Sequence, residues 1–427
     1  MLMSLNKRKF INKTLTVLLA SSLFLANDLH TSGAVERSLP EENQMLFIDD
    51  LFEKDIFNEY LENQINYYFT DEFLGNLGQA RIDDQNIMAL FPINRLGQHI
   101  YPEFIGGIYY NPDGNLVLQL VEDNISYGNE TVESLRNMDV IFEYVEFSHT
   151  YLNSLMDSIN SFILTSTMPE NFQKAGLRTS LNKVEVWLYN YNEYEKYNFL
   201  NNVINSYAIQ FLKAEEDVVR FSLIEYDPNE MFLGWTEFMP FNNIVARPGM
   251  GINIPGLGSI SVGYRARLNG ANGIITTGHT GLGVGHSVPG VGIIGATQNS
   301  GNVDAAFIIT NLNVEPSNEI HITRGNLSTT VVTQFREGDA FAKIGHATNI
   351  IMGTVTHENY SFLHLTGQVR TTATAAPGDS GGIVFSTPAI GPPHGGNTAG
   401  IVVGVIGGNM VFTRANAIQA SLGATRY

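Results

Sequence analysis

The 427-residue chain contains no cysteine. No disulfide can cross-link it and no thiolate can hold a metal, so the fold must stand on packing alone. Positive charge is also scarce: 24 Lys and Arg face 42 Asp and Glu, a net charge of −18. Such a surface repels phosphate backbones and argues against nucleic acid as a partner. Long apolar runs are missing too. The run from Thr14 to Ala26 has 13 residues, too short to span a bilayer. It follows Lys7, Arg8, Lys9 and Lys13 and precedes the small residues Ser32 to Ala34. That order reads as a secretory signal, residues 1–34, on a secreted, extracellular and bacterial protein with no membrane contact after signal removal.

What the chain has is a 44% apolar content, ample for a sizeable core, and a sharp change in chemistry near residue 245. Residues 245–427 hold 31 of the 41 glycines and carry nine basic against seven acidic groups. Residues 35–244 carry 11 basic against 34 acidic groups, a net −23. Asymmetry of this size marks separate domains. The acidic part reads as α+β. Residues 106–123 alternate around Asn-Pro-Asp-Gly and predict a hairpin. Residues 148–163 and 192–207 predict helices, and 183–190 a strand. Residues 226–258, rich in Pro, Gly and Asn, read as a linker. The part after it holds many short β-branched runs separated by glycines, the pattern of an antiparallel sandwich or barrel. Only residues 414–423 look helical there, closed by Gly423.

The stretch "AAPGDSGGIVF" sets Ser380 between an aspartate and two glycines. An ordinary glycine turn and a nucleophile turn are both open readings. Serine needs a base to take its proton, and the base needs a carboxylate to orient it. His279, in "IITTGHT", is delivered at the end of an apolar strand, where a rigid scaffold holds chemistry. Asp304, in "NVDAAFIIT", heads a strongly apolar run, and a carboxylate at the edge of a core requires partners. His99 and His149 stand isolated. The remaining histidines show no metal spacing, and "GLGVG" (281–285) follows a histidine rather than opening a helix, so neither a metal nor a cofactor is expected.

"TTGHT", "VDAAFI" and "PGDSGG", in the order His, Asp, Ser, resemble the chymotrypsin-type serine peptidases, specifically the bacterial streptogrisin and α-lytic group. The spacings of 25 and 76 residues fit that group. "FIGGIYYNPDGNLVLQLVED" resembles its pro-region. The resemblance implies an all-β double antiparallel barrel (245–427) with a C-terminal helix, preceded by an acidic α+β pro-domain (35–244). It implies a secreted serine endopeptidase made as a zymogen, acting on polypeptides, with its own pro-region as intramolecular inhibitor and folding chaperone. Its catalytic residues would be His279, Asp304 and Ser380. Gly378 and Ser380 would form the oxyanion hole. Thr374, Ala375, Ala376, Ile406, Gly407 and Gly408 would line a primary pocket for apolar or aromatic side chains, with acidic side chains as the alternative. Lys343 would pair with Asp379, replacing the family's arginine. Ile406 would stand where the family has a serine bonded to the triad aspartate. Ile260 with Thr280, Ala342 with Met352, and Ala375 with a residue near Met410 would occupy former disulfide positions. Two alternatives are a non-catalytic surface or adhesion protein on a peptidase fold, and a peptidase whose N-terminal part is a permanent binding domain.

Overall fold

Asp71–Ala89 forms helix α1, its start fixed by Thr70, whose hydroxyl accepts from Phe73 N at 3.1 Å. The computed structural model describes residues 68–93, 99–125, 130–165, 169–214, 244–322, 325–386 and 394–427. All lie in one compact unit, Lys54–Tyr427. The signal read at 1–34 and the first part of the linker, up to 243, lie outside the described residues. No helix among the described residues is long and apolar enough to cross a membrane.

The acidic part is α+β. β1 (Ile105–Tyr110) and β2 (Leu116–Leu120) make the expected hairpin, with Gly114 supplying the positive φ of 83° that its turn needs. α2 (Glu130–Arg136) leads to β3 (Ile141–Tyr144), which pairs with β2 in parallel. α3 (His149–Thr165) is capped by Ser148, whose hydroxyl accepts from Tyr151 N. It covers β4 (Phe172–Arg178) and β5 (Lys183–Leu188), with Leu152, Leu155, Met156 and Ile159 in their shared core. α4 (Glu193–Asn202) connects to β6 (Ile209–Lys213), parallel to β5.

The glycine-rich part is all-β. β7 (Ile244–Ala246), β8 (Gly251–Ile254) and β9 (Gly258–Ser261) come first. β10 (Tyr264–Leu268), β11 (Ala271–Thr276), β12 (Ser287–Val288), β13 (Gly292–Ser300) and β14 (Val303–Thr310) follow, then β15 (Val314–Pro316). β12, β13, β14, β11 and β10 pair in that order as an antiparallel sheet over a core that includes Ile252, Ile260, Ile274, Ile294 and Ile308. The second set is β16 (Asn326–Val331), β17 (Ala340–Gly345), β18 (Asn349–Phe362), β19 (Leu365–Thr371), β20 (Ile383–Ser386), β21 (His394–Ile406) and β22 (Asn409–Arg414). The order β17-β20-β21-β22-β19-β18 closes on itself, because β18 returns to pair with β17. Closure removes the exposed edges of this barrel. Helix α5 (Ala415–Leu422) ends at Gly423, left-handed at φ 69°, and β23 (Thr425–Arg426) joins β10. Two antiparallel β units, the second a closed barrel, and a C-terminal helix make up this chymotrypsin-like fold. One part of the linker reading fails: residues 244–258 hold short strands, since β7 pairs with β15 and β8 with β9, and Ile252 and Ile254 are buried. Their Pro and Gly residues shape turns between short strands, not a spacer.

The two parts are joined through a sheet. β18 carries β4 on its far edge, with Tyr360 opposite Gly176, Ser361 opposite Ala175 and Phe362 opposite Lys174. Beside that seam Arg178 meets Glu337 at 2.9 Å and His149 meets Glu358 at 3.2 Å. Glu185 meets His357 at 2.8 Å, and Asp84 meets Arg336 at 3.1 Å. The pairs run in both directions, so the seam uses local complementarity and not simply the bulk contrast of charge. Burial pushes His357 down to about 4, against the pull of Glu185. A buried base with a depressed pKa contributes stability above the ordinary histidine range and loses it as pH falls toward 4. Glu358 adds in the same direction: burial raises it, but His149, Arg336 and Thr179 outweigh burial and hold it low. Glu337, raised by burial, works the opposite way. The expected result is a seam weaker at pH 4.5 than at 7.5, by at most about 3 kcal/mol from His357. Melting temperatures of the full chain carrying Ser380→Ala, compared with the same chain also carrying His357→Gln, test this. An identical pH slope in the two proteins refutes it.

Candidate active site

β11 runs into the tripeptide Thr277-Gly278-His279, and β14 begins with Asp304 in its second position. Both strands are neighbours, with Thr276 opposite Ala306. This pairing brings the two side chains together across 25 residues of sequence. His279 Nδ1 lies 2.6 Å from Asp304 Oδ2. Asp304 is fully buried, so its charge depends on donors. Gly278 N donates to Oδ1 at 2.9 Å and Thr277 Oγ1 donates to Oδ2 at 3.1 Å.

Ser380 stands in the turn before β20, nearly buried, and its hydroxyl donates to Val403 O at 3.3 Å. The turn is held from several sides. Ser261 N donates to Ser380 O at 2.8 Å, and Gly381 N donates to Val402 O at 2.8 Å. Ser261 Oγ donates to Gly378 O at 2.7 Å and itself accepts from His346 N. The glycines are required here. Gly378 has φ 93°, a left-handed conformation that side chains rarely adopt. A Cβ on Gly381 would sit 2.3 Å from Thr276 Oγ1 and 2.6 Å from Ser261 O.

Asp379 points the other way, into a buried socket. Lys343 Nζ lies 2.5 Å from its Oδ2, and both side chains are fully buried. Thr348 Oγ1 donates to Oδ2 at 2.5 Å, the amides of Ala347 and Thr348 donate to Oδ1 at 3.0 Å, and Ala376 N donates to Oδ2 at 3.0 Å. Lys343 also contacts the Thr348 hydroxyl. Burial alone would raise Asp379, yet Lys343 and these hydrogen bonds hold its carboxyl below the usual range.

The residues expected to line the pocket separate into two groups. Thr374, Ala375 and Ala376 lie on the segment leading to Ser380, with Thr374 exposed and the alanines half-buried. Ile406, Gly407 and Gly408 lie on the β21–β22 hairpin, which meets that segment where Met410 N donates to Ala373 O at 2.7 Å. Gly407 and Gly408, at φ 58° and 78°, are the two-residue turn between β21 and β22, closed by the pair Ile406–Asn409. Ile406 packs with Trp187, Tyr360, Phe362 and Val411. Ile406 is buried in that cluster, and the carbonyl of β21 that accepts from the Ser380 hydroxyl is that of Val403. Two of the positions matched to disulfides pack directly. Ala342 faces Met352 across β17 and β18, and Ala375 packs against the cluster containing Met410. Ile260 and Thr280 are both buried.

Thr277, Ser261 and Thr348 were not marked by the sequence reading, although all three bind site groups. Only Thr277 had a local signal, a hydroxyl two residues before the histidine at a strand end. Among the described residues, no three His, Asp or Glu gather as a metal site would require.

Residues 57–145 match the family model of the Pro-like N-terminal domain, and residues 150–214 that of the Pro-like C-terminal domain. Among solved structures, the chain is similar to Cellulomonas bogoriensis chymotrypsin, at 24% identity over 43% of this chain and 99% of that one, TM-score 0.36. It is also similar to Thermobifida fusca protease A, at 20% identity over 42% and 97%, TM-score 0.37. The alpha-lytic protease homolog N4 aligns at 22% identity over 43% and 100%, TM-score 0.36. No curated protein matches this sequence.

Proposed function

We propose that the chain is the precursor of a secreted serine endopeptidase, with residues 1–34 as signal, 35–244 as pro-region and 245–427 as the catalytic domain. The observation that carries the reading is the His279–Asp304 contact of 2.6 Å, on a fold that also fixes Ser380 in a glycine turn. The Pro-like domains at 57–145 and 150–214 support the zymogen. In the reaction, Ser380 Oγ attacks the scissile carbonyl while His279 takes its proton and Asp304 stabilises the imidazolium. The amides of Gly378 and Ser380 would receive the oxyanion, each such donor contributing about 3–4 kcal/mol to the barrier reduction. The imidazolium then protonates the leaving amine, the C–N bond breaks, and water repeats the sequence on the acyl-enzyme. Thr374, Ala375 and Ala376 offer no acid to a bound Lys or Arg, which favours apolar side chains at the cleaved position.

The pro-region is read as template and inhibitor. Antiparallel barrels close many long-range pairs and fold slowly, and β4 supplies a ready edge against which β18 can pair. One experiment tests both halves of the reading: a fluorophosphonate label applied to material expressed from the full chain and to residues 244–427 expressed alone. The full-chain product, after processing, should be labelled at Ser380 and the shorter segment should not. An unlabelled processed product would defeat the peptidase reading. An equally labelled short segment would leave the peptidase standing and remove the template role.

A further inference from the structure

We propose that Thr277 is a positioning residue: its hydroxyl completes the donor shell of Asp304 and braces the imidazole of His279 against it. The inference rests on the peptidase reading above and adds a residue to it. Thr277 is fully buried and follows directly on β11. Successive side chains of an extended segment face opposite ways. Thr276 accordingly turns its hydroxyl to Ser261 O at 2.8 Å, whereas Thr277 turns toward the acid. There its Oγ1 stands 2.6 Å from His279 Nδ1 and 3.1 Å from Asp304 Oδ2, while Nδ1 and Oδ2 are themselves 2.6 Å apart. Three polar atoms thus form a closed triangle inside the protein.

The protons can be assigned by elimination. The carboxylate only accepts, and a hydroxyl has one proton and two lone pairs. If Nδ1 lacked a proton, its lone pair would face the carboxylate at 2.6 Å, and the single hydroxyl proton could satisfy only one of the two. If Nδ1 carries the proton, every edge is satisfied. Nδ1–H is shared between Oδ2 and Oγ1, and Oγ1–H goes to Oδ2. That tautomer makes Nε2 the basic nitrogen, which is the state a base toward Ser380 needs. The carboxylate thus selects the tautomer, and the hydroxyl holds carboxylate and imidazole together by bonding to both. The alternative source of a supporting hydroxyl, the strand beside Ser380, presents an apolar side chain: Val403 gives only its carbonyl to the site and buries its side chain beside Tyr360 and Val411. The other donors to Asp304 are the backbone amide of Gly278 and the imidazole itself. Thr277 is therefore the side chain through which this support can be removed without touching the triad.

Thr277→Val keeps the shape and deletes the hydroxyl, and Thr277→Ser keeps the hydroxyl and deletes a methyl. Processed protein is assayed on a chromogenic peptide amide with an apolar residue before the scissile bond. The valine variant should lose about 10- to 100-fold in kcat, the range expected for one hydrogen bond to a charged group. KM should stay within about twofold, since binding residues are untouched, and the serine variant should recover most of kcat. A uniform loss of folded protein cannot produce a kcat defect per labelled site that serine reverses, so rates are normalised to fluorophosphonate titration. If the valine variant does not fold, Thr277→Cys replaces it, a similar volume with a much weaker donor. A valine or cysteine variant equal to the serine variant and to wild type overturns the role of Thr277 while leaving the peptidase intact. A wild-type protein that neither hydrolyses the substrate nor takes the label overturns the underlying reading instead.

Discussion

Ser380→Ala and His279→Ala are each expected to lower kcat by about six orders of magnitude, and the double variant should be no worse than either single one, because triad members act as a unit. Folding should survive both changes. Ser380 loses one weak hydrogen bond, to Val403 O at 3.3 Å, and alanine fits the space. In His279→Ala the buried Asp304 keeps Gly278 N and Thr277 Oγ1 as donors, so its charge is not left bare. Both variants should also accumulate as the uncleaved chain, since the pro-region would be removed by the enzyme itself. Turnover per mole on a peptide amide, together with melting curves, checks these statements. A folded variant retaining more than a few per cent of wild-type turnover refutes the catalytic assignment.

The parts of this site legible in the sequence are those where a residue type conflicts with its surroundings. Asp304 stands at the head of an apolar run, and that conflict alone suggested a buried partner. Gly378 and Gly381 advertise a backbone that side chains cannot follow. Glycine is harder to read, because it has two possible meanings. The glycine pair expected along the pocket, Gly407 and Gly408, is a hairpin turn with positive φ at both positions. In residues 244–258 Pro and Gly suggested a spacer, whereas they separate strands only three or four residues long. The seam of β4 on β18 could not be read at all. It joins Ala175 to Ser361, and no local pattern records a partner 186 residues away. The same holds for Ser261, whose hydroxyl is bonded to Gly378 O from 117 residues away.

Lys343→Met is expected to destabilise the protein by about 3–5 kcal/mol and to collapse activity, because it leaves the buried charge of Asp379 without its cation. The four hydrogen bonds from Thr348, Ala347 and Ala376 remain but carry no full positive charge. Asp379 adjoins Ser380, so a rearranged Asp379 carries the oxyanion turn with it. No new chain terminus is needed for this contact: Ile244–Ala246, where the described β-half begins, is engaged with Val314–Pro316. On the proposed reading, pro-region removal would then act on a site whose turn is already formed. The pH dependence follows from the sign of the shift. In the wild type the carboxyl of Asp379 is held below its usual range, so its contribution is present above the ordinary aspartate pKa near 3.9 and is lost only as pH falls through the lower folded value. In Lys343→Met burial acts with less opposition and raises the carboxyl, so the variant should be least stable, relative to wild type, at neutral pH and should approach it in acid. Adding Asp379→Asn removes the orphaned charge and should restore part of the stability of Lys343→Met, while the same change in the wild type should destabilise by orphaning Lys343. That reversal of sign is a coupling between two residues in contact, measurable as a double-mutant cycle. If Lys343→Met is as stable and as active as wild type, or if the two substitutions are simply additive, the ion pair does not hold the turn.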